Sequence, residues 1–204
     1  MPYVKTTLAA LFILFGCTHP AEAQADTLEQ ARHAMQTGDF ATAVRLYLPL
    51  AREGNPDAQF NLAEMIDEGE GALEDEREAL KWYQLAAAQG HTEAQATLGA
   101  FYAAGRGVEQ DYVQAQKWDS LAAAQGNTRA QFNLSWLYEM GYGLPIDLVR
   151  AHLWASLAAS HAKGKQKAMY ERSLYSLKQR LNADQLKQAL DLENRCDTRP
   201  LRPC

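Results

Sequence analysis

Cysteine is scarce, with three in 204 residues, at positions 17, 196 and 204. The C-x7-C spacing of the last two lacks a second ligand pair, which argues against a zinc site. Long apolar runs are missing too. A membrane-spanning helix needs about 20 apolar residues, and the longest stretch, TLAALFILF at 7–15, falls well short. The histidines at 33, 91, 152 and 161 have no metal-ligand spacing. Basic residues form no dense stripe, which speaks against nucleic acid. What remains is a chain with 47% apolar residues and a formal charge of −5. That suits one ordinary domain or one short array of repeats, and nothing in it suggests disorder or collagen.

The first 23 residues stand apart. One lysine precedes the apolar stretch, whose length is about that of a signal h-region. PAEAQA follows, with Ala21 and Ala23 at the −3 and −1 positions of an A-x-A site. The expectation is an exported chain, periplasmic or secreted, cleaved after Ala23. The rival is an outer-membrane lipoprotein, because LFGC resembles a lipobox and would place a lipid on Cys17. In an oxidising compartment Cys196 and Cys204 form an even pair. A bridge between them would close a small loop and fasten the tail, contributing about 2–3 kcal/mol.

The sequence repeats. Trp82, Trp118 and Trp154 are 36 residues apart, and the same frame aligns Ala58, Ala94 and Ala130, Leu62, Leu98 and Leu134, and Asp75, Asp111 and Asp147. It also aligns two glycine rows, Gly69, Gly105 and Gly141 with Gly71, Gly107 and Gly143. Each unit reads as two helices. Ala94, Leu98 and Tyr102 share one helical face. Asn55 is an N-cap with Pro56 at the first helical position. The first glycine ends the helix in the left-handed conformation. Asp75 and Asp111 open the second helix with capping-box spacing to Glu78 and Gln114. Ala115, Trp118 and Ala122 form its buried face, with the tryptophans as packing residues. Such pairs bury their faces only by stacking.

The pattern A-x-x-x-L-G-x-x-Y-x-x-G-x-G-V-x-x-D-x-x-x-A-x-x-W resembles the Sel1-like repeat, a relative of the tetratricopeptide repeat. Ala94 to Trp118 matches it throughout. The first unit departs at Ile66 and Ala72, the third at Ser135 and Leu144. The resemblance implies an all-α, right-handed solenoid and an interaction scaffold without cofactor or enzymatic activity. The expected organisation is a signal over 1–23, a helix pair over 24–55, repeats over 56–90, 91–126 and 127–162, and a helical cap and tail over 163–204. The partner expected is another envelope protein or a peptide segment, held in a concave groove lined by the first helix of each pair. Aromatic and methionine side chains are enriched at binding patches. Glu64, Met65, Phe101, Trp136 and Met140 are the candidate groove residues, with Trp136 and Phe101 as anchors.

Other chemistry finds weaker support. Gly105-Arg106-Gly107 precedes a helix, where a phosphate would sit well, but a helix stop explains it without a dinucleotide fingerprint. Ser160 and Lys163 spell S-x-x-K, the one feature favouring a cell-wall or β-lactam hydrolase, with no K-T-G or S-D-N companion. The acidic run from Glu68 to Glu78 reads as a solvated loop and first turn. Charge is segregated: residues 24–161 hold 19 Asp/Glu against 9 Lys/Arg, and residues 162–204 hold 10 Lys/Arg against 5 Asp/Glu.

Overall fold

The computed structural model describes residues 20–197, with side chains over residues 24–196. Residues 1–19 of the expected leader, Cys17 among them, therefore lie outside the described residues, as does Cys204, while residues 20–23 form the start of α1. The described residues form ten helices and no strand. They are α1 (Pro20–Gln36), α2 (Phe40–Arg52), α3 (Pro56–Glu68), α4 (Glu76–Ala88), α5 (Thr92–Ala104), α6 (Tyr112–Ala124), α7 (Thr128–Met140), α8 (Leu148–His161), α9 (Gly164–Arg180) and α10 (Ala183–Asp197). From α1 to α9 each packs on the next, and α10 packs on α8. The result is an all-helical solenoid.

The helix boundaries follow from the sequence. Asn55 Oδ1 accepts from the Ala58 amide at 3.0 Å, with Pro56 behind it at the first position. Asn127 does the same for Ala130 at 2.9 Å. In the middle unit His91 takes this place, and its Nδ1 accepts from the Ala94 amide at 3.2 Å. Gly69, Gly105 and Gly141 end the first helices at φ near +70°, where only glycine is free of Cβ strain. Asp75, Asp111 and Asp147 cap the second helices through their carboxylates.

The capping box is only half made. The N–H of each capping aspartate donates back to the preceding helix instead, to the carbonyls of Ile66, Tyr102 and Tyr138. Glu78 is thereby free to accept from the indole of Trp82 at 3.0 Å. The return bond uses only backbone, so Ile66 serves as well as the tyrosines do.

The core is small-residue packing closed by larger side chains. Ala58, Leu62, Ala94, Leu98, Ala130 and Leu134 are all buried, and so are Ala79, Ala115 and Ala151. Trp154 is buried, while Trp82 and Trp118 are half-buried and packed against the core. Leu85 and Leu121 are exposed, but their counterpart Leu157 is buried. The difference is α10, which covers α8 where the other units meet solvent.

The array does not stop in register at its third unit. Helix α9 begins 36 residues after α7, and its buried Tyr170 falls in frame with Leu62, Leu98 and Leu134, stacked on Phe132. It is a fourth first-helix with its outer side in solvent. Its N-cap residue Lys163 makes no side-chain bond, so the capping of the earlier units is lost.

The first-helix face as a candidate binding site

Helices α3, α5, α7 and α9 present equivalent positions every 36 residues. One row is Asp57, Glu93, Arg129 and Lys165. A second is Glu64, Ala100, Trp136 and Arg172. A third is Glu68, Ala104, Met140 and Ser176. Side chains in these rows meet across the units. Arg32 Nη2 donates to Asp57 Oδ2 at 3.0 Å, and His91 Nε2 lies 3.5 Å from Asp57 Oδ1. Asn127 donates to Glu93 Oε1 at 2.8 Å, and Arg129 donates to Thr97 Oγ1 at 3.0 Å with Glu93 Oε2 at 3.7 Å.

Two of the expected groove residues are not on this face. Met65 and Phe101 are each 1% exposed. Phe101 packs edge-on against Tyr83 at 5.3 Å and carries the Arg106 guanidinium over its ring at 4.5 Å. The sequence held the signal: Met65, Phe101 and Leu137 are in frame and all apolar, which marks a core row. Their burial removes them from any list of anchors.

Trp136 and Met140 are outside, 37% and 46% exposed. Trp136 belongs to a cluster that sequence spacing did not reveal. Its ring lies 4.9 Å from Tyr142, which stacks on Tyr112 at 4.7 Å. Tyr142 comes from the loop after α7, and Tyr112 opens α6 of the preceding unit. Glu64 is half-buried on the same face. Burial first, then the neighbouring Glu68, raises its carboxyl to about 7, with Arg129 opposing.

The glycine loop holds no open anion site. The Gly107 amide donates to Glu76 Oε2 at 3.1 Å, and Arg106 bridges Glu76 at 2.7 Å and Asp67 at 2.8 Å. Ser160 Oγ donates to the Leu157 carbonyl at 2.9 Å, and among the described residues no hydrogen bond joins it to Lys163. No group of three His, Cys, Asp or Glu among the described residues is placed to hold a metal ion. No described helix is long and apolar enough to cross a membrane. Cys196 is buried against α8.

Comparison with known proteins agrees with this architecture. A protective antigen of uropathogenic Escherichia coli, displaying an SLR fold, superposes with a TM-score of 0.66 at 28% identity, over 75% of this chain and 38% of that one. A Sel1 repeat protein from Oxalobacter formigenes gives 0.67 at 26%, over 73% of this chain and 58% of that one. The chain thus spans less than two thirds of the length of either relative. Among curated proteins no sequence matches. The Sel1 repeat profile matches residues 56–91, 92–127 and 128–162, just over half of the sequence. With its three helix pairs and glycine-ended first helices, the chain belongs to the Sel1 repeat family, whose members are generally protein–protein interaction scaffolds.

Proposed function

We propose that this protein is an exported scaffold that holds a protein or peptide segment on its concave first-helix face. The observation that carries this reading is the exposed Trp136, braced by Tyr142 and Tyr112 and flanked by exposed Met140. A large ring held rigid at a surface gains contact area on binding while losing little conformational freedom. Trp136 and Met140 on α7 are the anchors, and Glu64, two units away on α3, is a polar contact on the same face.

The leader pattern supports export, with the lipid-bearing Cys17 as its alternative. Intact mass of the processed protein separates the two, since acylation adds several hundred daltons. A Cys196–Cys204 bridge in the exported protein would pin α10 to the end of the chain, and mass before and after reduction reads it directly.

The test is capture from a native envelope fraction. Trp136→Ala with Met140→Ala is compared with the parent at equal helicity. Loss of a buried aromatic anchor costs about 2 kcal/mol or more, roughly a 30-fold weakening. A partner held by the parent and lost from the variant supports the reading. Equal capture by both would remove these anchors, and turnover of a β-lactam that is lost in Ser160→Ala would bring the hydrolase reading forward.

A further inference from the structure

The binding face changes sign along the array. Its first row runs Asp57, Glu93, Arg129, Lys165, and its second runs Glu64, Ala100, Trp136, Arg172. At the α3 end, Asp57 is already engaged by Arg32 and His91. The carboxyl groups left for a partner there are Glu64 and Glu68, one turn apart, with no salt bridge to either among the described residues. Two carboxylates at this spacing repel when both are ionised. Burial and this proximity raise the Glu64 carboxyl to about 7, so it is only partly ionised near neutral pH, and a basic group seated over it would favour its charged form. At the α9 end, Lys165 and Arg172 are exposed, and no salt bridge reaches them among the described residues. The exposed Trp136 and Met140 lie between the two ends.

Resting on the reading above, we infer that the occupant is an extended segment with ends of opposite charge, bound in one direction: its basic end over Glu64 and Glu68, an apolar side chain on Trp136 and Met140, and its acidic end over Lys165 and Arg172. Electrostatic complementarity of this kind fixes register and partner choice more than raw affinity. Helices α3 and α9 are three repeats apart, with a second helix packed between each successive pair of first helices, so an extended chain, at about 3.3 Å per residue, has to cross α5 and α7 to join the two charged ends. A uniformly basic or uniformly acidic partner would meet repulsion at one end. The charge order therefore selects against both, as negative elements do in specific interfaces.

The test uses a library of random twelve-residue peptides displayed on phage. Selection is run on the full protein, on Trp136→Ala, and on a swapped variant carrying Glu64→Lys, Glu68→Lys, Lys165→Glu and Arg172→Glu. The expected winners depend on Trp136 and carry Lys/Arg at one end and Asp/Glu at the other, in one fixed order. Reversing that order in a synthetic winner weakens binding at least tenfold, and the swapped variant prefers the reversed peptide. Trp136-dependent winners without ordered charge would overturn this inference and leave the groove reading standing. A library with no Trp136-dependent winner would end both. If the fourfold variant loses its helicity, Lys165→Gln with Arg172→Gln, both on an exposed surface, serves instead. It should weaken the winner and abolish its preference for order, and unchanged binding would overturn the inference.

Discussion

At the scale of single residues, the repeats share a buried glutamine that is satisfied twice and then only once. Gln59 donates to the Ala51 carbonyl at 3.0 Å and accepts from Gln89 at 2.8 Å. Gln95 repeats this with Ala87 at 3.1 Å and Gln125 at 2.7 Å. Gln131 still donates to Ala123 at 3.3 Å, but its Oε1 is buried without a partner. The residue in frame with Gln89 and Gln125 is His161. There Ala162 replaces the positive-φ glycine, so α8 runs on to His161. His161→Gln restores a donor of the right length and should raise stability by about 1 kcal/mol, read as a higher urea midpoint; an unchanged or lower midpoint would show that the altered helix end places position 161 out of reach. Asp119 supplies a second residue-scale prediction. It is 1% exposed, and its carboxyl fills the space above Gly99, where a Cβ would lie 2.4 Å from Oδ1. Asn133 Nδ2 donates to it at 3.1 Å. Burial raises its pKa to about 8, the Asn133 bond opposing. The folded protein keeps a proton that the unfolded chain releases near 4. This contribution is whole below about 4 and is lost as pH rises toward 8, at up to about 1.4 kcal/mol per unit. Asp119→Asn should lose less stability than the parent between pH 5 and pH 8.5 in urea unfolding. Parallel pH profiles would rule the buried acid out. His91 and His152, both held low chiefly by burial, act in the opposite sense below about 6.5 and are common to both proteins.

At the scale of elements, the two glycines of each G-x-G have different tasks. The first stops a helix. The second touches the unit before it: a Cβ on Gly107 would lie 2.7 Å from the Glu76 carbonyl oxygen, and one on Gly143 would lie 2.8 Å from the Tyr112 backbone. Each is the point where a loop seats on the start of the preceding second helix. Gly90 has φ +90° but nothing within 4 Å of its virtual Cβ. Gly90→Ala should cost about 1 kcal/mol from backbone strain alone. Gly107→Ala adds a backbone clash and should cost about 3 kcal/mol or more, and equal losses in chemical denaturation would contradict a seating role. This division marks how far the sequence could be read. Caps, helix stops and buried alanine and leucine rows were legible because each depends on neighbours along the chain. The seating of the second glycine was not, because it depends on contact with another unit. Neither was the aromatic cluster, since Tyr112, Trp136 and Tyr142 meet only once units stack. Met65 and Phe101 were misplaced for a simpler reason: their size suggested anchors, when their in-frame partner Leu137 marked the row as core.

For the whole molecule, stability is a chain of nearest-neighbour terms. Each unit touches those on either side, and the energy of a solenoid is approximately a sum over repeats and interfaces. The central helices α5, α6 and α7 have partners on both sides. The end is weaker in three respects. Helices α9 and α10 both lean on α8 rather than closing on each other. Lys163 leaves α9 without a side-chain cap. Lys163, Lys165 and Lys167 crowd positive charge into the first turn of α9, where the helix dipole favours negative charge. These features place the lowest local opening free energy in the cap. Amide exchange followed by mass spectrometry should show peptides from α9 and α10 exchanging at least tenfold faster than those from α5 to α7. Protection in α9 equal to the centre would mean that the cap folds as one unit with the repeats. If the cap does open first, the basic end of the binding face is also its most adaptable part. A segment seated across α7 and α9 would then slow exchange most in α9, which ties the order of unfolding to the direction of binding.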